Sequence, residues 1–429
     1  MHDTLKQQLI AWRRDFHRHP EQGFLEIRTA SIVAAELARL GYRLRMGREV
    51  MDSRAIMGKP DAQTTAAHAA WARANGAVAT YLDALQDGYT AVVADWDSGK
   101  PGPTTALRVD MDALPIHESD AAEHRPQALS FRSQNPGSMH ACGHDGHTAI
   151  GLAVATLLAE NRAALCGKIR LIFQPAEEGV RGAKSLVEAG VVDDVDNFIA
   201  IHLGIGVAQG SFLAAANGFL ATTKLDVHFH GTAAHAGGNP EAGKNALLAA
   251  ATAALNIHAI ARHSEGASRI NVGELHAGSG RNIIAAHASM KIETRGATAA
   301  VNDHIEAEVR RIIAAAAQMY DVAAEITLAG QAIHCRPSPQ LAATLAAIAE
   351  NTPGIDHVEL EDTAALGSED ATYYMQRVQE NGGQATYSII GTELAAGHHH
   401  ERFDINEDSL ITGTELLYRA ISQLNRKSA

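Results

Sequence analysis

The segment 139–147 places one cysteine and three histidines within a few residues of each other, as Met-His-Ala-Cys-Gly-His-Asp-Gly-His. Thiolate and imidazole are ligands that zinc and other transition metals favour, and few structural roles need them together. Cys142 could bridge two ions as a thiolate, since metal binding deprotonates the thiol. His144, two residues further on, could close onto one of these ions. The spacing therefore predicts a metal site at this segment.

A second group of possible ligands follows later in the chain. Glu177 and Glu178 are consecutive, and neighbouring side chains in an extended or turning segment point in different directions. One of them can therefore bind metal while the other acts as general base. His202 and one histidine of the run 398–400 would complete two coordination shells. The set indicates a two-metal hydrolytic site, which needs an uncoordinated acid to move protons.

The elements that must position these groups alternate between helix and strand, which is typical of an α/β protein. Amphipathic helices are predicted at 3–18 and 28–41, and an Ala/Leu-rich helix is predicted at 148–164. Buried strands are predicted at 91–96, 105–110, 168–173, 197–202 and 384–390. The chemically active residues follow the carboxyl ends of such strands, where ligands bind in open α/β sheets.

The character of the sequence changes near residue 217. From there to 330 the patterns run strand–helix–strand–strand–helix–strand, which is typical of a small α+β unit. At 429 residues the chain exceeds the size at which single cores usually stop growing. We therefore predict a catalytic domain of 1–216 and 331–429, into which 217–330 is inserted. Residues 52–88 form an extra Ala-rich helical segment, interpreted as a pocket cap or a partner contact.

Composition excludes several other classes of protein. The formal net charge of −13 argues against a surface for nucleic acid or anionic membranes, because both need clustered Lys and Arg. The sequence has no run of about eighteen apolar residues, so no membrane span is predicted. Three cysteines are too few for a disulfide framework, and no signal peptide is evident. We therefore expect a cytoplasmic location.

Three motifs carry a family resemblance. They are His-Ala-Cys-Gly-His-Asp-Gly-His at 140–147, Gln-Pro-Ala-Glu-Glu-Gly at 174–179 and Arg-Val-Asp-Met-Asp-Ala-Leu-Pro at 108–115. Together they resemble the metal-dependent aminoacylase/carboxypeptidase family, in its branch of amino-acid-conjugate and hippurate hydrolases. The resemblance covers nearly the whole chain. It implies a two-domain di-metal peptidase fold, with a mixed-sheet α/β catalytic domain and an inserted smaller α+β lid and dimerisation domain.

The resemblance also implies roles for single residues. Glu177 would be the general base, and Asp112 would orient a metal ligand from the second coordination sphere. The implied metal ligands are Cys142 as the bridge, His144 and His202 on one ion, and Glu178 and His399 on the other. His399 lies four residues before Phe403, as in the relatives, although His398 and His400 stay possible. Asp110 stands where the wider family has histidine, so it is not counted as a ligand.

Three residues of the inserted unit match family positions near the substrate. His235 would reach a neighbouring active site and stabilise the tetrahedral oxyanion. Asn282 and Arg295 would lie near the carboxylate end of the substrate, where a guanidinium can donate two parallel hydrogen bonds. Without the resemblance, each of the three would be interpreted as an ordinary residue of the lid surface.

The implied activity is hydrolysis of the amide in an N-aroyl amino acid, with p-aminobenzoyl-glutamate as the expected substrate. Hippurate, an N-acetyl amino acid or an indole-acyl conjugate are alternatives, because no motif encodes pocket shape. A non-catalytic metal-binding subunit is a further alternative, but such a site has no need of Glu177. The expected cofactors are two divalent ions per subunit, Mn²⁺ or Zn²⁺. A homodimer is expected, and the resemblance also raises a heteromeric partner, a second subunit of different sequence.

Overall fold

The structure, a computed structural model, describes residues 1–364 and 367–426. Its strands are β1 Arg43–Met46, β2 Val92–Asp97, β3 Thr104–Asp110, β4 Lys168–Gln174, β5 Asn197–Leu203, β6 Ser211–Leu213, β7 Ala221–His230, β8 Ser268–Ala277, β9 His287–Gly296, β10 Ala323–Ala332, β11 His357–Glu359 and β12 Gln384–Ile390. Its helices are α1 Asp3–Arg18, α2 Ile27–Arg39, α3 Ala62–Ala74, α4 Arg125–Ala128, α5 His144–Glu160, α6 Ala183–Glu188, α7 Ala246–His258, α8 Ala299–Met319, α9 Pro339–Ala349, α10 Thr372–Glu380 and α11 Asp408–Leu424. The predicted α/β class and the predicted strands are confirmed.

One predicted helix boundary is wrong. The helix expected at 148–164 is α5, and it begins at His144 rather than at residue 148. Gly143 precedes it in the left-handed region (φ 97°), a conformation that glycine adopts without the strain of a Cβ. Since His144-Asp-Gly-His147 contains a glycine and poor helix formers, propensity alone places the start too late. Both histidines therefore lie in the first turn of α5.

The larger sheet has eight strands in the order β1-β2-β4-β3-β5-β12-β6-β11. Its central strands β4, β3, β5 and β12 run parallel to each other, whereas β1, β2 and β6 pair antiparallel with their neighbours at β2, β4 and β12. The parallel strands are buried along almost their whole length, as expected when helices cover both faces. This mixed sheet brings the carboxyl ends of β3, β4 and β5 to one edge.

Helices pack on both faces of this sheet. On one face α1, α5 and α11 contact each other, and Leu5, Leu9, Trp12 and Phe16 of α1 are buried at helical spacing. On the other face α6 and α10 contact each other over a separate apolar cluster. The site-bearing loops are therefore held between layers with well-packed cores.

The second sheet has four antiparallel strands in the order β10-β7-β9-β8. Its strands lie between Ala221 and Ala332, and α7 and α8 cover one face. In β7, buried side chains such as Leu225 and Val227 alternate with more exposed ones, so the other face is left to polar side chains. The strand–helix order predicted for the inserted unit is present, while the division into domains stays a prediction.

The extra segment at 52–88 is partly helical. It contains α3 and two short 3₁₀ turns at Ser53–Ala55 and Ala79–Leu85. His68 of α3 lies 2.8 Å from the buried carboxylate of Glu21, which joins the segment to the catalytic layer. In the part of the chain that the structure describes, no helix is both long and apolar enough to span a membrane.

Candidate metal centre

The candidate ligands meet at the edge of the large sheet where its parallel strands end. Asp112 follows β3, the turn at 177–178 follows β4, and His202 lies near the end of β5. Cys142 precedes α5, and His144 is its first residue. This edge is where ligands bind in open α/β sheets, so the fold itself brings these motifs together.

Cys142, His144 and His202 form the first group. One ligand atom from each lies within 4.8 Å of the other two. His202 donates from Nδ1 to the Leu203 carbonyl at 2.8 Å, which leaves Nε2 3.4 Å from the Cys142 sulfur. His144 donates from Nδ1 to the Asp112 carbonyl at 2.9 Å, and its Nε2 is buried without a hydrogen-bond partner. Both rings therefore present an unprotonated Nε2 to one space, as metal-binding imidazoles do.

Cys142, Glu178 and His399 form the second group, again with ligand atoms within 4.8 Å. His399 Nε2 lies 3.3 Å from Glu178 Oε1 but is not aligned for a hydrogen bond, so this buried oxygen has no donor. Burial, followed by the charge of Glu178, raises the pKa of the Cys142 thiol. A thiolate at this position therefore requires a nearby cation. The orphaned nitrogen, the orphaned oxygen and the buried thiol together fit divalent metal ions, with Cys142 common to both groups.

The run 398–400 offers three histidines, and their surroundings differ. His398 accepts a hydrogen bond at Nε2 from the Ile205 amide (3.1 Å), and its Nδ1 lies 3.7 Å from the Cys142 sulfur. His400 is exposed, and its Nδ1 accepts a hydrogen bond from the Arg402 amide. His399 is the member that reaches Glu178. The geometry therefore favours His399 as the late ligand.

His147 and Asp110 lie next to the first group but are fully engaged elsewhere. His147 donates from Nδ1 to Asp110 at 2.6 Å and accepts at Nε2 from the Leu203 amide at 3.0 Å. Asp110 also accepts a 2.6 Å hydrogen bond from Arg108. Neither ring nitrogen of His147 is free to bind a metal, and a buried ion pair occupies Asp110. This agrees with leaving Asp110 out of the ligand set.

Asp112 organises the site through hydrogen bonds. Its two carboxylate oxygens accept the backbone N–H groups of Glu177 (3.0 Å) and Glu178 (2.9 Å). The same carboxylate lies 3.3 Å from His144 Nδ1, whose proton goes to the Asp112 carbonyl. One side chain therefore holds both the glutamate turn and the imidazole. The resemblance implied only the orienting of a ligand, and the hold on the turn is an addition.

Glu177 is buried beside the first group, with Oε2 3.9 Å from His144 Nε2. Burial first, and then the negative charges of Glu369 and Glu178, raise the pKa of Glu177 well above that of an ordinary glutamate. A carboxylate with a raised pKa is suited to take a proton from water and to give it up again.

Backbone strain concentrates at the turns of the site. Ala176, Val180, Ile205 and His399 are in the left-handed region, with φ of 53°, 59°, 44° and 66°. Such conformations cost on the order of 1–3 kcal/mol each and persist only where the surroundings impose them. Val180 is held on both sides, since its amide bonds to the Glu177 carbonyl and its carbonyl accepts the Gln331 amide. The strained residues flank the candidate ligands and base and fix the direction of their side chains.

The candidate ligands and base line a cavity of about 270 Å³ between the two sheets. Lys224 of β7 and Arg295 of β9 line its lid side. The structure therefore brings Arg295 to the cavity, as the resemblance implied. His235 and Asn282 do not line it and are exposed. The His235 Nδ1 accepts the Gly237 and Gly238 amides (3.1 and 2.9 Å), so its Nε2 carries the proton outward.

Two residues that line the cavity were not predicted from the sequence: Glu369 and Lys224. Glu369 accepts hydrogen bonds from Arg108 and from the Tyr387 hydroxyl, which fixes its charge near Glu177. The adjacent acids Glu369-Asp370 after Gly-Ser are a signal similar to that of Glu177-Glu178, and could have been found in the same way. An isolated lysine in an alternating strand offers no such signal.

Comparison with known proteins places this site in a family. The pattern of peptidase family M20/M25/M40 matches residues 106–423, and so includes every candidate ligand. The chain belongs to the M20 family. The resemblance to metal-dependent aminoacylases and carboxypeptidases is thereby confirmed, and the M20 chain is a hydrolase.

Two curated relatives and one solved structure resemble this M20 chain over nearly its full length. One of the named subunits of the p-aminobenzoyl-glutamate hydrolase of Escherichia coli (strain K12) is 51% identical, over 97% of this chain and 96% of its own. The indole-3-acetyl-aspartic acid hydrolase of Enterobacter agglomerans is 50% identical, over 98% and 96%. The aminobenzoyl-glutamate utilization protein of Klebsiella pneumoniae is 45% identical, with a TM-score of 0.85 over 98% and 96%.

Proposed function

We propose that this chain is a two-metal amidohydrolase that cleaves the amide of N-aroyl amino acids, with p-aminobenzoyl-glutamate as its substrate. One observation carries the proposal: the candidate base Glu177, both ligand groups and the guanidinium of Arg295 converge on one cavity. A site that only stored metal would need neither the base nor the cation. The Escherichia coli relative, which is named for this substrate, supports the choice.

The metal ions would be held by the two groups described above. Cys142 would bridge them, with His144 and His202 on one ion and Glu178 and His399 on the other. Bound ions of this kind polarise a carbonyl and make water a stronger nucleophile near neutral pH. Mn²⁺ and Zn²⁺ are the two candidates, since thiolate ligation favours zinc and the family resemblance suggests manganese.

The chain itself supplies proton transfer and positioning. Glu177 takes a proton from the attacking water and delivers it to the nitrogen of the departing amino acid. Arg295 holds the carboxylate of that amino acid by charge-assisted hydrogen bonds. Asp112 keeps Glu177 in place through its backbone amide, so proton donor and acceptor stay aligned during the reaction. Asn282 is assigned to the same carboxylate end.

We further infer a homodimer formed through the inserted unit. Its surface exposes large apolar side chains, including Leu255 (76% exposed) on α7 and Leu275 on β8. A second copy would bring the outward Nε2–H of its His235 to this cavity, as an oxyanion donor. Because the Escherichia coli relative is named as one subunit of its hydrolase, a heteromeric partner of different sequence is also raised. Three unpaired cysteines support a cytoplasmic location.

A second candidate substrate is indole-3-acetyl-aspartate, because the Enterobacter relative named for it is 50% identical to this chain. Both relatives are named for an aromatic acyl group on an acidic amino acid, so the chemical class is the same. The choice between them depends on the acyl side of the cavity.

The test is release of glutamate from p-aminobenzoyl-glutamate by the purified chain alone, loaded with Mn²⁺ or Zn²⁺. Release that is lost in Glu177→Ala, while metal content stays at two ions, supports the proposal. Absence of release from the metal-loaded wild type on either aromatic conjugate contradicts it for the isolated chain. Recovery after adding a partner of different sequence would then assign the activity to a heteromer.

A further inference from the structure

Two permanently charged cations of the lid face the candidate metal centre. They are Lys224 of β7 and Arg295 of β9, and the described residues that line the cavity include no other lysine or arginine. The facing wall carries the carboxylates of Glu177, Glu178 and Glu369. Because that wall repels anions unless metal is bound, the negatively charged groups of a substrate are drawn to the lid wall.

Both cations share one counter-ion, Glu293. Arg295 donates to it from Nε and Nη2 at 3.0 Å each, which braces the guanidinium and leaves its Nη1 side for a ligand. The Nζ of Lys224 lies 3.7 Å from Glu293, beyond hydrogen-bond distance. The ammonium group is about one-third exposed, and its three donors are available to a ligand.

The sheet register sets the two cations on one face. Lys224 is the direct cross-strand partner of Glu293, and Arg295 lies two residues beyond Glu293 on the same strand. Residues two apart in a strand point to the same face, and diagonal neighbours of this kind are within reach of long side chains. One small molecule with two carboxylates can therefore contact both cations at once.

We propose that Lys224 binds the side-chain carboxylate of an acidic amino acid in the substrate, while Arg295 binds its α-carboxylate. The assignment rests on the proposed function and narrows its substrate class to N-acyl dicarboxylic amino acids. Glutamate and aspartate, the amino acids named in the two relatives, both have this second carboxylate. Conjugates of glycine or glutamine lack it, and leave the ammonium group of Lys224 without a partner.

The test compares p-aminobenzoyl-glutamate with p-aminobenzoyl-glutamine, which differ only in the side-chain charge. Binding is measured by calorimetry on full-length Glu177→Gln protein loaded with Mn²⁺, with and without Lys224→Met. We expect the glutamate conjugate to bind about 10- to 100-fold more tightly than the glutamine conjugate. In Lys224→Met this preference falls to about two-fold, with little change for the glutamine conjugate.

Lys291→Met is the matched control. Lys291 lies on the same face of β9, 3.3 Å from Glu274, and lines the adjoining cavity but not the one with the ligands. It removes an equal charge from the lid and is expected to keep the preference. A preference that survives Lys224→Met, or is absent from the parent protein, overturns the assignment, as does binding of neither conjugate. Loss of hydrolysis in the wild type, with a preference that depends on Lys224, counts against the proposed function alone.

Discussion

Replacing Asp112 by asparagine tests how the site is held together. The carboxylate accepts two backbone N–H groups, from Glu177 and Glu178, in a buried position. An asparagine offers one acceptor oxygen, so its amide group must face the other N–H. Hydrogen bonds to charged groups contribute about 1.5–3 kcal/mol, and a buried donor left without a partner costs about 1–3 kcal/mol more. We expect the free energy of unfolding of the metal-free protein to fall by roughly 3 kcal/mol.

The same substitution should weaken metal binding. His144 is oriented by Asp112, and loss of such a partner lowers metal affinity by about 10- to 100-fold. Competition with a chromogenic chelator measures both affinities, and urea unfolding of the chelator-treated protein measures stability. At saturating metal kcat should still be about ten-fold low, because the turn that carries Glu177 has lost one of its fixed points.

Asp196→Asn is the matched control for this prediction. Its carboxylate accepts the Thr104 amide at 2.8 Å, at the opposite end of β3. It removes a similar bond to the backbone far from the ligands, so stability changes while metal affinity does not. Wild-type metal affinity and kcat in Asp112→Asn would refute the reasoning, since the carboxylate would then be dispensable to both the imidazole and the turn.

Three further predictions follow from the structure. Glu177→Gln should lower kcat by at least about 10³-fold and leave two metal ions bound, measured by steady-state kinetics and elemental analysis. His399→Ala should lower the metal content from two ions to one, whereas His400→Ala should keep both. Burial alone would lower the pKa of His17, but hydrogen bonds with Asp145 and Glu118 raise it to about 9. A pKa raised by folding stabilises the protein below the unfolded value of about 6.5, so the stability advantage of wild type over Glu118→Gln should shrink as pH rises from 6.5 to 9 in urea unfolding.

The parts of the fold visible in the sequence are those with local causes. β3 and β4 are continuous apolar runs because helices cover both faces of a parallel sheet, and such runs are readable without knowing the neighbours. The alternation in β7 was equally readable, because one face packs on α7 and α8. The start of α5 at His144 was not, since it depends on the left-handed Gly143 rather than on propensity.

The site divides along the same line. Ligand types and their spacing come from short segments, so Cys142, His144 and Glu178 could be proposed from chemistry and family resemblance alone. Lys224 could not be found, because alternation shows that a lysine leaves the helix-covered face but not which surface it then meets. Its place in the cavity follows from packing of the two sheets against each other.

The sequence by itself therefore determined the chemistry of this protein: the donor atoms, the pair of glutamates and the α/β scaffold that follows from its periodicity. The tertiary structure decided which donors are free. His147 is occupied by Asp110 and the Leu203 amide, and His398 by the Ile205 amide, whereas His144 keeps its Nε2 unbonded. A hydrogen bond depends on groups brought close in space from distant parts of the chain. Only the folded chain therefore separates a metal ligand from a structural histidine.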